Sequence, residues 1–199
     1  QRRLILPQLG APGVAAHEVK KRSGFKVEYG PARAADLPEY LMAGEATQEM
    51  RTVRFTLRDR LVLIPVEIVQ GVWKVTLAAL VVYFVGGWFA SAAVVAAALA
   101  GLVLFPILLP WIPTRDFSSK GFILGGLAAL PFALIVALRG DAAWWQRALG
   151  ALTYLLPLPP VAAYLALNFT GSTPFTSRSG VRREIFAYIP AMAWMFGTG

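Results

Sequence analysis

Apolar and polar positions divide the chain into two unlike parts. Up to Lys74, short apolar runs alternate with polar and turn residues. From Val75 to Thr114 no charged residue occurs at all. As one helix that run would extend roughly 60 Å, twice a hydrocarbon core of about 30 Å. It therefore predicts a helical hairpin, with helices near 72–89 and 92–112 and the turn at Gly86-Gly87 or Ser91. Trp73, Trp88 and Trp111 stand where interfacial aromatics belong. A third span is expected at 121–138. A fourth, at 145–167, is kinked by Pro157, Pro159 and Pro160, which must be buried against other helices. A fifth apolar segment, 184–199, reads either as an interfacial helix or as the start of another span.

The first part carries different signals. Leu4-Ile5-Leu6-Pro7 is a short apolar run followed by Gln8-Leu9-Gly10-Ala11-Pro12-Gly13, a buried strand and its loop. Val14 to Arg22 predicts a helix with Lys20, Lys21 and Arg22 in its last turn and Gly24 as its stop. Phe25 to Tyr29 alternates as a second strand, closed by Gly30-Pro31, and Ala34 to Met42 predicts a second helix. Strand–helix–strand–helix order implies a parallel α/β sheet. Two strands do not make a stable sheet alone, so further strands are expected upstream of residue 1. Ligands of such sheets bind beyond the carboxyl ends of the strands. That makes Gln8, Leu9, Gly10 and Ala11, with Gly30 and Pro31, candidate binding residues.

Residues 45–70 form a bridge that completes the segment 1–70. There Arg51, Arg54, Arg58 and Arg60 alternate with Val53, Phe55, Leu57 and Leu61. The period of two allows a strand, extended by Leu61 to Val66. Its arginines suit either an anionic lipid surface or a plainly solvated face.

Composition sharpens this division. Of 199 residues 57% are hydrophobic and the mean hydropathy is +0.58, values of a membrane protein. The net charge of +8 is uneven, since twelve of 19 basic and eight of 11 acidic residues lie in 1–74. The basic residues lack the aromatic-interleaved clustering of a nucleic-acid face, which argues against nucleic acid as a partner. Instead, Arg115 and Lys120, and then Arg178, Arg182 and Arg183, fall on the side of the basic first segment. The positive-inside rule thus predicts a multi-pass protein of the cytoplasmic (inner) membrane with its soluble head in the cytoplasm. The absence of cysteine excludes disulfides, thiolate metal ligands and a catalytic cysteine within these residues. His17 stands alone and suits packing or the surface better than a metal. No expected span has an ionisable residue at its centre, which weakens a transport reading.

The polar stretch Asn168 to Ser177 directly follows the fourth span, and the expected cytoplasmic loop runs over 168–183. Its Gly, Pro and hydroxyl residues shape a turn, and Thr170, Gly171, Ser172, Thr173 and Thr176 offer donors and acceptors to a polar ligand. An ordinary loop between helices fits the same composition. On the predicted topology the stretch returns to the side of the first segment, so the two regions can share a site. Asn168-Phe169-Thr170 also matches a glycosylation sequon, which a cytoplasmic location would void.

Two separated blocks resemble one family. Leu4 to Gly13 and on through Tyr29-Gly30-Pro31-Ala32-Arg33-Ala34-Ala35-Asp36-Leu37-Pro38 is similar to the second half of a corrinoid-binding domain. Domains of this type occur in the large subunit of the corrinoid iron–sulfur protein. Asn168 to Ser177, with Ser179-Gly180-Val181 and Glu184, resembles the C-terminal motif of the same superfamily. With a membrane-spanning insert between the blocks, the pattern is that of the mercury-methylation corrinoid protein family. The resemblance implies a mixed fold: a partial, Rossmann-like α/β corrinoid segment, followed by a transmembrane bundle of four to five helices. It implies a cobalamin cofactor shared with upstream residues and a methyl transfer to Hg(II). It also implies a methyl donor protein and a ferredoxin-like iron–sulfur electron donor. The candidate residues named above would then border the corrin and bond its amides. The family's cobalt-facing cysteine, in an Asn-Val/Ile-Trp-Cys-Ala-Ala-Gly-Lys type motif, has no counterpart here and is expected upstream. The resemblance therefore assigns no catalytic or metal-ligating residue to this chain. Two other readings remain open: a membrane-bound corrinoid methyl carrier of one-carbon metabolism, and a non-catalytic membrane anchor.

Overall fold

The computed structural model describes residues 2–11, 13–52, 56–140, 142–169 and 178–199. The chain divides into two compact units, Gln1–Arg54 and Phe55–Gly199.

In the first unit β1 (Arg3–Leu6) leads through a 3-10 turn at Gln8–Gly10 to α1 (Ala16–Ser23), which returns the chain to β2 (Lys26–Tyr29). The strands pair in parallel with Leu6 opposite Tyr29, as a strand–helix–strand crossover requires. Gly24 ends α1 in the left-handed conformation (φ 73°), where a Cβ would be strained. After a 3-10 turn at Ala34–Asp36 come α2 (Leu37–Ala43) and α3 (Gln48–Arg51). Tyr40 and Met50 are buried in this unit, as is Pro31. The Ala32 N–H donates to the Met50 carbonyl at 2.7 Å, tying the segment after β2 to α3. The sheet has two strands, and Leu4 and Ile5 keep more than a third of their surface exposed.

The second unit is a helical bundle. Among the described residues three of its helical segments are long and apolar enough to cross a membrane: Leu57–Leu108, Phe117–Leu138 and Trp144–Asn168. Its outer surface agrees, since Phe84, Val85 and Leu138 are each more than three quarters exposed. Water does not tolerate a continuous apolar surface of that kind on a monomer.

The first of these segments is folded in two. Helix α4 (Leu57–Leu99) contains one non-helical residue, Gly87, with φ 77° and ψ −177°. Beyond it the Ser91 hydroxyl donates to the carbonyl of Ala79 at 2.9 Å. In a continuous helix those residues would stand roughly 18 Å apart, so the chain reverses at Gly87 and the limbs 57–86 and 88–108 lie side by side. The returning limb contains a π-helical turn at Ala100–Leu104 and ends in α5 (Phe105–Leu108).

Helix α4 begins at Leu57, well before the expected start near 72, and it replaces the strand that the alternation of 51–66 allowed. Thr56 explains this: its hydroxyl and backbone N–H form a capping box with Asp59, which fixes a helix start. Of the alternating residues, Val53, Arg54 and Phe55 lie outside the described residues. A consequence is that Glu67 and Lys74 now sit well inside the first limb, whereas no expected span had an ionisable residue at its centre.

Helix α6 (Phe117–Leu138) packs against α8 (Leu158–Asn168), which is separated from α7 (Trp144–Leu155) by a break at Leu156-Pro157. Gly121 and Gly125, four residues apart on one face of α6, make this contact possible. A Cβ on Gly121 would lie 2.4 Å from the Cα of Ala163, and one on Gly125 would lie 2.7 Å from the Cα of Pro159. Small residues let two backbones approach in this way where lipid gives no hydrophobic drive for helix association. Helix α9 (Arg178–Thr198) runs along α8, and its end reaches Leu156 and Pro157. Replacing Gly121 by Leu should force α6 and α8 apart and cost on the order of 1–3 kcal/mol. Thermal unfolding in detergent checks this, with Gly126→Leu, at a position with no neighbour within 4 Å, as the control that should change little.

Candidate functional site

The carboxyl ends of β1 and β2 come together because the strands are parallel and in register. The Gly30 N–H donates to Leu6 O at 2.8 Å, and the Gln8 N–H to Pro31 O at 3.4 Å. Gln8, Gly10, Ala11, Gly30 and Pro31 therefore share one edge of the unit, and Leu9 points outward with 64% of its surface exposed. Two of these positions behave differently from one another. Gly30 is buried, and a Cβ there would stand 2.9 Å from Ile5 Cγ2 and 3.5 Å from the Tyr40 ring, so its space is taken by the protein itself. Gly10 has nothing within 4 Å of where a Cβ would sit, so the space beside its Cα is open, while its N–H donates to Pro7 O and its carbonyl accepts from Gly13 and Val14.

Beside these loops the Gln8 Oε1 atom is buried, and among the described residues no donor reaches it. A buried acceptor without a partner costs about 1–3 kcal/mol, so it marks a place where a donor from elsewhere would be welcome. A hollow of about 310 Å³ lies on the same unit, lined by Leu6, Pro7, Pro31 and Leu37 among others but not by Gln8. An amide-rimmed ligand such as a corrinoid is compatible with this chemistry along one edge: an orphaned acceptor, an open glycine and an apolar wall. The hollow takes only part of so large a group.

Thr170, Gly171, Ser172, Thr173 and Thr176 lie outside the described residues, as does Pro12 of the first loop. His17 is exposed on α1. Among the described residues no group of three or more His, Asp or Glu side chains is placed to hold a metal ion.

The helical unit has a second polar centre, at the end where α5 stops and α6 starts. Glu184 of α9 is 5% exposed, and its Oε2 accepts from the backbone N–H groups of Phe117 (3.0 Å) and Ser118 (3.1 Å) and from the Ser118 hydroxyl (3.2 Å). A carboxylate thus caps the positive end of α6 from another helix. Asp116 holds the N-cap position but makes no side-chain cap. Its Oδ2 instead accepts from Tyr188, one turn beyond Glu184. On the other side, Arg60 donates through Nη1 to the carbonyls of Pro106 (3.1 Å) and Ile107 (2.8 Å), and Lys120 donates to Leu109 O at 2.6 Å. These cations meet the negative end of the returning limb. The Arg60 guanidinium also lies 5.8 Å from the Trp111 ring centroid.

None of these roles followed from sequence. Arg60 was expected on a lipid-facing or solvated strand and is 6% exposed inside the bundle. Lys120, counted as a loop charge, is buried too. The usable signal was Thr56-Leu57-Arg58-Asp59, which announces a helix and so moves Arg60 into its first turn. Glu184 carried no such signal, because its partners lie 66 and 67 residues away.

No family model, curated protein or solved structure matches the chain.

The loop edge depends on the β1–β2 register, to which a cross-strand pair contributes. Arg3 donates through Nε to Glu28 Oε2 at 3.0 Å and also through Nη2, and Lys26 Nζ stands 3.2 Å from Oε1. The Arg3 guanidinium holds the Glu28 carboxyl below the usual range, helped by Lys26 against a smaller opposing effect of burial. A lowered folded-state pKa stabilises above the unfolded value of about 4.3, and the contribution is lost as pH falls through the folded value. Arg3→Ala should raise the Glu28 pKa toward about 4.3, as read by NMR titration of its side-chain carboxyl. An unchanged titration would remove Arg3 as the cause.

Proposed function

We propose that this chain is the C-terminal part of a membrane-anchored corrinoid protein that passes a methyl group to Hg(II). In this reading the first unit is a portion of a Rossmann-like corrinoid domain on the cytoplasmic side of the inner membrane. The helical unit anchors it. A methyl donor protein and a ferredoxin-like electron donor are its partners. The observation that carries the reading is the convergence of Gln8–Gly10 and Gly30–Pro31 at the carboxyl ends of two parallel strands, beside the orphaned Gln8 Oε1. That edge is where ligands of parallel sheets sit. The first of the two sequence blocks that resemble the family includes it.

When bound, the corrinoid supplies the cobalt-centred chemistry of methyl transfer. The part of this chain is to hold and shield. Gln8 Oε1 accepts a hydrogen bond from an amide of the corrin rim. Gly10 lets its backbone come close, and the Leu6–Pro31–Leu37 hollow excludes water from one side. Thr170, Ser172, Thr173 and Thr176, with Gly171, complete the site with neutral donors and acceptors, which suit an uncharged amide rim better than salt bridges do. The cobalt-facing ligand comes from outside these residues.

Cobalamin binding to the intact protein tests this. Gln8→Leu removes one buried acceptor and should weaken retention about ten-fold, in line with roughly 1–3 kcal/mol for such a bond. Thr170→Val with Thr173→Val should weaken it further. An intact protein that binds no cobalamin would leave the anchor reading in its place. Tight binding unchanged by all three substitutions would keep the cofactor and remove these residues from its site. Binding of cobalamin without methylation of Hg(II) would favour the methyl-carrier reading.

A further inference from the structure

Lys74 stands on the first limb of the hairpin and is exposed. Gly71 abuts Leu102 of the returning limb, where a Cβ would stand 3.1 Å from Leu102 Cδ1. One turn further along, Lys74 lines the same cavity as Ala98. From Ala98 the returning limb runs about 15 Å to its end at Leu108, and from Lys74 the first limb runs about 20 Å to the reversal at Gly87. The ammonium thus starts near the middle of the hairpin, and the adjacent Trp73, expected at an interface, lies mid-hairpin with it. Among the described residues it has no ion-pair or hydrogen-bond partner, and its recorded contact is the ring of neighbouring Trp73 at 5.7 Å. Glu67, two turns earlier on the same face, is about 10 Å away along the axis and forms no pair with it. An unpaired cation at this depth is costly and marks a functional position by default.

The cavity measures about 390 Å³ and is formed by both limbs of the hairpin together with α8 and α9. That lies within the range of about 300–1,000 Å³ for small-ligand sites. Its lining is apolar, with Val75, Val161, Leu165 and Phe196 among its walls, except for Lys74 and Tyr164. The Tyr164 hydroxyl also has no partner among the described residues. Two exposed donors without an acceptor therefore stand at the rim of one otherwise apolar groove.

We propose that this cavity binds a single-chain carboxylate amphiphile of the fatty-acid class, its carboxylate on Lys74 and Tyr164 and its chain along the apolar walls. A neutral acceptor such as a quinone would leave the ammonium uncompensated. A two-chain phospholipid carries its phosphate at the membrane interface, far from this depth. A carboxylate supplies the counter-charge and accepts from both donors at once. The site stands apart from the corrinoid reading and does not depend on it.

The test is photo-crosslinking of the intact protein in neutral phosphatidylcholine nanodiscs with a diazirine-bearing palmitic acid, mapped by mass spectrometry. Labels should concentrate on the cavity walls, and palmitate should compete at least ten-fold better than methyl palmitate. Lys74→Met should weaken labelling at least ten-fold, and Lys74→Arg should stay within about three-fold of the parent. Equal competition by acid and ester would overturn the proposal on the unmodified protein alone, whether or not a variant folds. So would labels spread over the whole lipid-facing surface, or a folded Lys74→Met that labels as strongly as the parent.

Discussion

The helical unit depends on how its helix ends are closed. In a bilayer, water does not satisfy free N–H and C=O groups, so each end buried in the bundle needs a partner from the protein. Here three buried charges take that part. Glu184 closes the positive end of α6, and Arg60 and Lys120 close the negative end of the returning limb. Each of them would be a liability on its own, since an uncompensated buried charge costs several kcal/mol. Placed against helix ends of opposite polarity they become fasteners. They also join pieces remote in sequence: the first turn of α4 to α5, and α9 to α6.

Packing follows from that closure. With the ends held, Phe105 stacks edge-on against Phe117 and Phe169 at centroid distances of 5.4 and 5.9 Å. Below them Gly121 and Gly125 bring α6 onto the alanines of α8. At the other end of the bundle Phe89, Phe132 and Tyr154 form a second aromatic cluster near the reversal. Between the two clusters α9 does not close completely on the hairpin, and the cavity beside Lys74 is the space left over. The first unit shows the opposite balance, with a two-stranded sheet, few buried side chains and an unpaired acceptor at its loop edge.

What was legible in the sequence was whatever depended on neighbours along the chain. A charge-free run twice the thickness of a bilayer, broken by Gly86-Gly87, fixes a reversal, and the chain turns at Gly87. Proline at 157 marks the break between α7 and α8. The order strand–helix–strand implies parallel pairing, and β1 and β2 pair so. Residues 51–66 misled because arginine and apolar positions alternate there with the period of a strand. From Thr56 onward the conformation is decided instead by a capping box and by carbonyl partners of Arg60 that lie 46 and 47 residues away. Glu184 could be read as part of a motif but not as a cap, because nothing near it in sequence says which helix end it meets. The loop edge of the first unit was legible as glycines and prolines after strands. That Gly30 serves packing while Gly10 stays open required the neighbours.

The most direct measurement is hydrogen exchange of the backbone amides of Phe117 and Ser118 in detergent micelles, with Glu184 intact and with Glu184→Ala. If closure of helix ends by buried charge organises the bundle, the substitution should speed exchange of these two amides by at least ten-fold. It should also loosen α9 around Tyr188 and Met192, while the reversal at Gly87 keeps its protection. Equal protection of both amides in the two proteins would show that the start of α6 holds without Glu184, and would contradict the account.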